Sequence, residues 1–260
     1  MASSEQEEIA LHRQLAGQYV CRRSSEGSRI FDENWNDMIL GCLSACAGGA
    51  VLDCCCGDGI LLPALARKFE RVAGMDISGE MLELARQRAP AGCEVVQGSV
   101  AAMPFEAGEF DAVTFRGAFH HLEDPARCLE EVRRVLRPGG RIVMVEPNGD
   151  PLLWRLVRIV YCRLSRRFSA AHRFFRSEEL REMLAEAGFE QITIRSVFFM
   201  SYPFAGLLDH FRFFRFVPFH AALTKLLLRA DRFLEGLPMI RNCGMALLIS
   251  AVRSGAGPAG

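Results

Sequence analysis

Asp53, Gly57, Gly59 and Asp76 are the residues of this chain whose types and spacing best support chemistry. Val51 and Leu52 lead into Asp53 as a short buried strand leads to its carboxyl end. Gly57-Asp58-Gly59 then makes a tight turn in which the backbone can approach a ligand closely. Residues 60–68 read as a helix and residues 72–75 as a second strand, which delivers another acid, Asp76. An acid at that point is placed to accept hydrogen bonds from the two hydroxyls of a ribose. The chemistry implied is binding of an adenosine-containing cofactor across the carboxyl ends of a parallel sheet.

Two cofactor classes use such a strand, turn, helix, strand and acid. A dinucleotide fold needs G-x-G-x-x-G, whose third glycine lets the helix pack closely beside a pyrophosphate. Here Ile60, Leu61 and Leu62 follow Gly59, so that glycine is missing. The segment instead resembles motif I of the class I S-adenosylmethionine (AdoMet) methyltransferases, a strand followed by D-x-G-x-G-x-G. Asp53, Gly57 and Gly59 match, and Cys55 stands where the family usually has its first glycine. A cysteine fits there provided its φ stays negative.

The resemblance runs on in order. Asp76-Ile77-Ser78 and then Met81 to Ala85 look like the family's second strand end and helix, with Ser78 as N-cap. Gly98-Ser99-Val100 through Met103-Pro104-Phe105 resembles its G-D-A…L-P-F segment. Residues 110–115 resemble its fourth strand, His120-His121-Leu122 the loop beyond, and residues 134–146 its closing helix, turn and fifth strand. Matches extend over residues 51–188.

The resemblance implies AdoMet as cofactor and Asp53, Cys55, Gly57, Gly59, Asp76, Ile77, Ser99, Val100 and Phe115 as residues around it. Asp76 would take the ribose. The Gly57 and Gly59 backbone would meet the methionyl part, and Asp53 would hold the ammonium group or merely cap the loop. Ser99 stands where the family often has an aspartate for the adenine amino group, and a neutral hydroxyl accepts more weakly. Adenine then depends more on the Val100 backbone and on Ile77 packing. His120 and His121 sit where the family's active-site loop faces substrate. A side chain titrating near neutral pH suits removal of a hydroxyl proton, and the sequence does not choose between the two. Arg116 would bind an anionic substrate or pair with a helix acid.

Composition narrows the remaining classes. Half of the 260 residues are hydrophobic and formal net charge is zero, so nothing suggests a nucleic-acid partner. No run of eighteen apolar residues occurs, and the first eight residues are polar and acidic, unlike a secretory leader. The expected location is cytoplasmic, with membrane association as the alternative. The ten cysteines include the adjacent Cys54, Cys55 and Cys56 and the pair Cys42 and Cys46, without a second pair at zinc spacing. They read as reduced, small apolar residues, and no metal is expected.

The elements that must position these residues alternate as strands and helices. Strands are expected at 50–53, 72–75, 93–97, 110–115 and 141–146, with a final antiparallel pair at 190–197 and 245–252. The fold expected is α/β, a doubly wound, seven-stranded, mostly parallel sheet of Rossmann-like methyltransferase type with a helical cap. The divisions read as N-terminal helices over 1–47 (residues 9–20 and 34–46), an AdoMet-binding core over 48–150, a basic helical insertion over 151–176, and a core helix and strand over 177–197. A Phe-rich helical insertion follows over 198–242, then a final strand over 243–253 and a disordered tail over 254–260. Ser177 is expected to cap its helix and Gly188 to end it. In the second insertion, Leu223, Leu226, Leu227, Ala230, Phe233, Leu234 and Leu237 mark one helix face and Lys225, Arg229 and Arg232 another.

Together these imply an AdoMet-dependent methyltransferase for a hydrophobic small-molecule or lipid-linked acceptor, with oxygen as acceptor atom and carbon, on a quinone- or polyketide-like molecule, second. The insertions pack as a cap over the site or present a basic amphipathic surface to a membrane. The rival classes are a nicotinamide-dependent oxidoreductase and a non-catalytic, AdoMet-binding or membrane-associated scaffold.

Overall fold

The computed structural model describes residues 25–152, 173–202, 204, 219–238, 240 and 242–255. The helix expected over 9–20, most of the basic insertion (153–172), much of the Phe-rich insertion (205–218) and the end of the tail (256–260) lie outside the described residues.

Seven strands form one sheet: β1 (Ala50–Cys54), β2 (Arg71–Asp76), β3 (Glu94–Gln97), β4 (Phe110–Arg116), β5 (Leu136–Pro147), β6 (Phe189–Val197) and β7 (Ala246–Arg253). Their order is β3-β2-β1-β4-β5-β7-β6. The first five run parallel, and β7 is antiparallel to both β5 and β6. The chain winds outward from β1 through β2 to β3 and then returns to β4 on the other side of β1. That reversal opens a crevice at the carboxyl ends of β1 and β4, where ligands bind in doubly wound sheets. All five residues of β1 are buried, as both covered faces of a central parallel strand require.

Helices cover both faces. On one side α4 (Pro125–Val135) and α5 (Ser177–Glu186) bury Leu129, Val132, Leu180 and Leu184 against the sheet. On the other lie α1 (Glu26–Cys42), the short α2 (Leu62–Leu65), α3 (Gly79–Arg88) and α6 (His220–Glu235), which contribute Phe31, Leu62, Leu82 and Leu228. The described part of the expected cap is therefore α6, which packs on α1 and β6.

Several boundaries moved for identifiable reasons. The helix expected at 34–46 begins at Glu26, because the Ser25 hydroxyl accepts the Ser28 N–H at 3.1 Å and caps it there. It ends at Cys42, and Ser44–Cys46 is a 3₁₀ turn. The helix expected at 60–68 shrinks to Leu62–Leu65. Ser177 is not a cap: it is the first helical residue, and its N–H donates to the Asp150 carboxylate at 3.2 Å. Asp150, remote in sequence, satisfies the Ser177 amide, and the Glu179 carboxylate accepts the Arg176 N–H at 3.5 Å, so the end is held without a cap from the Ser177 hydroxyl. The final strand begins at Ala246 rather than 243.

The face assigned to α6 is also corrected. Thr224, Leu227, Leu228 and Asp231 point inward, while Leu226, Phe233 and Leu237 are exposed. The reason is Asp231: its buried carboxylate accepts the Met200 N–H at 2.6 Å, the Ser201 N–H at 3.2 Å and the Ser201 hydroxyl. Polar anchoring of the segment after β6 sets the rotation of the helix and overrides its apolar stripe. Replacing Asp231 by alanine strands two amides and a hydroxyl and should cost about 3 kcal/mol. Urea unfolding measures this; an unchanged midpoint would show that the helix is held by apolar packing alone.

Candidate active site

The strand ends gather the acids. Asp53 lies one residue before the end of the buried strand β1 and is 1% exposed, and its Oδ1 accepts the Thr114 hydroxyl at 2.8 Å. Burial pushes the Asp53 carboxyl up to about 7. The Thr114 hydroxyl and the positive field of Arg116 work against that rise, and Asp76 adds to it. Asp76, at the end of β2, accepts the Gly57 N–H at 2.8 Å through one oxygen and the Ser78 N–H at 2.9 Å through the other. It therefore ties the glycine turn to the start of α3. Each of its oxygens keeps a further acceptor position, which is what a ribose diol requires.

The glycine turn is held from several sides. Gly57 and Gly59 have φ of +55° and +74°, and a Cβ on Gly59 would lie 3.0 Å from the Ala85 backbone. Asp58 is buried and paired with Arg88 of α3 at 2.7 Å, so it serves the loop. From above, the Asn36 amide of α1 donates to the Ile60 carbonyl at 3.2 Å. Cys55 departs from expectation. Its φ is +53°, not negative, so the cysteine adopts the left-handed backbone that the glycine of the resembled motif supplies without strain. That conformation costs of order 1–3 kcal/mol, a strain that the surrounding bonds must hold.

The other predicted cofactor residues divide. Ile77 is half-buried, and its carbonyl accepts the Gln97 side-chain amide at 3.0 Å. The Ser99 hydroxyl accepts the Ala101 N–H at 3.2 Å, and Val100 packs half-buried against the core. The Phe115 ring is fully buried against Phe119, with centroids 5.6 Å apart, so only its backbone could face a cofactor.

Across the crevice, the two histidines are held unequally. His120 is buried, and its Nδ1 lies 2.6 Å from Oε2 of Glu146, at the end of β5. The same carboxylate accepts the Ala118, Phe119 and His120 N–H groups at 3.1, 3.0 and 3.2 Å. Glu146 thus fixes the whole loop after β4. Burial pushes its carboxyl up to about 7, and the amides of Phe119, Ala118 and His120, followed by the charge of His121, oppose the rise. With Nδ1 donating to Glu146, the basic nitrogen of His120 is Nε2. His121 is half-buried and its ring packs against that of His120 at a 40° tilt, with centroids 4.1 Å apart.

Arg116 pairs with a helix acid, the second of its two expected roles. It meets Asp32 of α1 at 2.5 Å and lies 4.4 Å over the Trp35 ring. Trp35, Phe31, Phe198 and Tyr202 form an aromatic cluster there, Trp35 and Tyr202 being half-buried. A Cβ on Gly117, just past β4, would lie 3.6 Å from the Trp35 ring, which places the cluster beside the carboxyl end of that strand.

Two residues of the site, Glu146 and Thr114, are not among those that the sequence singles out. The signal for Glu146 was present: like Asp53 and Asp76, it is an acid closing an apolar strand run. Thr114 carries no such signal, because only the β1–β4 register sets it opposite Asp53.

Comparisons with known proteins agree with this fold. The family described as a methyltransferase domain matches residues 52–144. A demethylmenaquinone methyltransferase of Oceanobacillus iheyensis is 29% identical over 188 residues, covering 63% of this chain and 79% of that protein. A 2-phytyl-1,4-naphtoquinone methyltransferase of Trichormus variabilis is 36% identical over 127 residues, covering 45% and 56%. Among solved structures, a SAM-dependent methyltransferase of Thermotoga maritima, a possible histamine N-methyltransferase, superposes with TM-score 0.66. It is 18% identical and covers 94% of this chain and 99% of its own, a likeness of fold. The chain spans 36% of the length of one curated relative that it matches and 84% of another. Over residues 52–144 the chain thus matches a methyltransferase domain, and its seven-stranded sheet is the fold of the AdoMet-dependent methyltransferases. The dinucleotide reading is thereby set aside.

The residues present fit that cofactor. Asp53 is a buried acid that burial forces toward its neutral form, and AdoMet brings an ammonium and a sulfonium that would restore its charge. Asp53 and Asp76 together make the crevice electronegative.

Near pH 7 a cationic ligand against Asp53 should lower that carboxyl's pKa and so expel a proton. Affinity should rise with pH through about 7. Calorimetry in buffers of different ionisation enthalpy should detect this proton in the wild type and lose it in Asp53→Asn; identical buffer dependence would remove Asp53 from the site. Asp76→Ala loses two charge-assisted bonds, about 3 kcal/mol, and should bind AdoMet over 100-fold more weakly.

Proposed function

We propose that this chain is an AdoMet-dependent methyltransferase acting on a hydrophobic, quinone-type aromatic acceptor, with transfer to ring carbon. The observation that carries the reading is the sheet order β2-β1-β4-β5. It sets the acid and glycine cradle of Asp53, Gly57 and Asp76 beside the His120–Glu146 pair. Two supports narrow the acceptor. Two of the relatives named above are a demethylmenaquinone methyltransferase and a 2-phytyl-1,4-naphtoquinone methyltransferase, and the half-buried Trp35 and Tyr202 offer a planar, apolar surface near the crevice. Transfer to oxygen, put first on sequence alone, is the second reading; what favours it is that a base at His120 would leave the hydroxyl oxygen itself as the nucleophile.

Bound AdoMet supplies an electrophilic methyl on a sulfonium centre. The chain's own part is to align the acceptor with it, exclude water and take a proton. Nε2 of His120, oriented through Nδ1 by Glu146, is positioned by that bond to accept a hydroxyl proton. His121, packed against the His120 ring and less buried, is the alternative base. Removal of the hydroxyl proton raises electron density on the oxygen and on the ring carbons ortho to the C–O bond, either of which can receive the methyl as its bond to sulfur breaks. Transfer to carbon is completed when that carbon's own proton leaves and the ring regains aromaticity.

Labelled methyl from AdoMet should pass into an organic-phase product when the protein is incubated with a reduced, demethylated naphthoquinone. Label in water-soluble products alone would contradict the apolar acceptor, and no turnover with any acceptor would favour a binding scaffold. A methyl resistant to ether cleavage in the product separates carbon from oxygen transfer. His120→Gln should lower kcat by about 100-fold or more with KM little changed, while His121→Gln should not. The reverse pattern would assign the base to His121.

A further inference from the structure

Helix α6 has the wrong outer surface for a helix that ends in water. It turns about 100° per residue, so Leu226 and Phe233 lie roughly opposite the inward-facing Thr224, Leu227 and Asp231. The direction farthest from the core is where a surface helix normally carries charge. Here it carries Leu226 at 61% exposure and Phe233 at 70%, with Phe219 at 84% and Leu237 at 37% continuing the line beyond the two ends.

The charges on this helix are also sorted. Its exposed residues are Ala222, Lys225, Leu226, Arg229, Arg232 and Phe233: three apolar, three cationic and none acidic. The cations lie together along one border of the apolar line. The two acids of α6 face elsewhere. Asp231 is buried on the amides of Met200 and Ser201, and Glu235 lies 3.8 Å from Arg195 of β6. The outer face is therefore apolar along its centre, positive along its edge and free of negative charge. No helix of the described residues is long and apolar enough to cross a membrane, so any lipid contact through this face is lateral.

We propose that this face of α6 docks the protein on an anionic lipid surface, with Leu226 and Phe233 entering the acyl boundary and Lys225, Arg229 and Arg232 meeting headgroup phosphates. An interfacial helix needs an apolar face for depth and flanking cations for attraction, and α6 carries both on the side turned away from its own core. A second copy of the chain would fit less well, since two such faces would bring like charges together. The proposal goes beyond methyl transfer and does not require it: the same surface would hold the protein at a bilayer whatever its acceptor.

The test uses the full chain without cofactor or acceptor, so its outcome is separate from that of the enzymatic reading. In co-sedimentation with vesicles of phosphatidylglycerol and phosphatidylcholine, the wild type should bind, and binding should fall as salt rises from 0.05 to about 0.5 M. Pure phosphatidylcholine vesicles should bind it at least tenfold more weakly. The triple variant Lys225→Gln/Arg229→Gln/Arg232→Gln should bind anionic vesicles roughly 100-fold more weakly, at about fivefold per cation. Leu226→Ser/Phe233→Ser should weaken binding at least tenfold while keeping the wild-type thermal melt, because both residues are exposed. Lack of anionic-vesicle binding by the wild type would overturn the proposal. So would undiminished binding by the two surface variants, which would place the contact elsewhere on the chain. A concentration-dependent dimer in sedimentation velocity, abolished by Leu226→Ser/Phe233→Ser, would instead make this face a contact between copies.

Discussion

Buried carboxylates at the carboxyl ends of parallel strands hold this site together. Asp76 takes the amides of Gly57 and Ser78, and Glu146 takes those of Ala118, Phe119 and His120. Each gathers loop N–H groups that would otherwise face the crevice unpaired, and each converts a flexible connection into a fixed wall. The glycine turn and the histidine loop are thus positioned by the same device, one on either side of β1 and β4. Asp53, between them, takes a hydroxyl instead of amides and keeps capacity for a ligand.

The electrostatic consequence is a crevice with more acid than its surroundings neutralise. Arg116, the nearest cation, is committed to Asp32 and stacked on Trp35. Burial therefore raises Asp53 to about 7, and the free protein carries that carboxyl partly protonated at neutral pH. A cationic ligand removes this penalty. The crevice thus selects charge as well as shape, which suits a sulfonium better than a pyrophosphate. The left-handed Cys55 belongs to the same constraint: the chain must turn sharply to present Gly57 to Asp76, and the surrounding bonds hold a residue that would relax in isolation.

The added helices are tied to this frame by polar contacts. Asn36 of α1 reaches the carbonyl of Ile60, Asp32 reaches Arg116, and Asp231 of α6 reaches the backbone after β6. The aromatic cluster of Phe31, Trp35, Phe198 and Tyr202 fills the space between α1 and that backbone. Because polar anchors set the rotation of α6, part of its apolar surface is left facing outward.

Much of the core was legible in the order of residues alone. Alternating strands and helices, the glycine turn and the acids at strand ends are local patterns, and local chemistry dictates them: a parallel strand buried on both faces must read apolar, and a sharp turn must relieve steric crowding. The ends of the sheet and the identity of the cofactor class followed. Tertiary structure decided what depends on partners distant in the chain. Thr114 faces Asp53 only through strand register, Asp150 rather than Ser177 satisfies the start of α5, and Glu146 rather than solvent holds His120. The inward face of α6 likewise follows Asp231 rather than its leucines. A hydrogen bond between residues 26 to 61 positions apart leaves no periodic trace in a sequence, and its strength in a dry interior is enough to override the pattern that does.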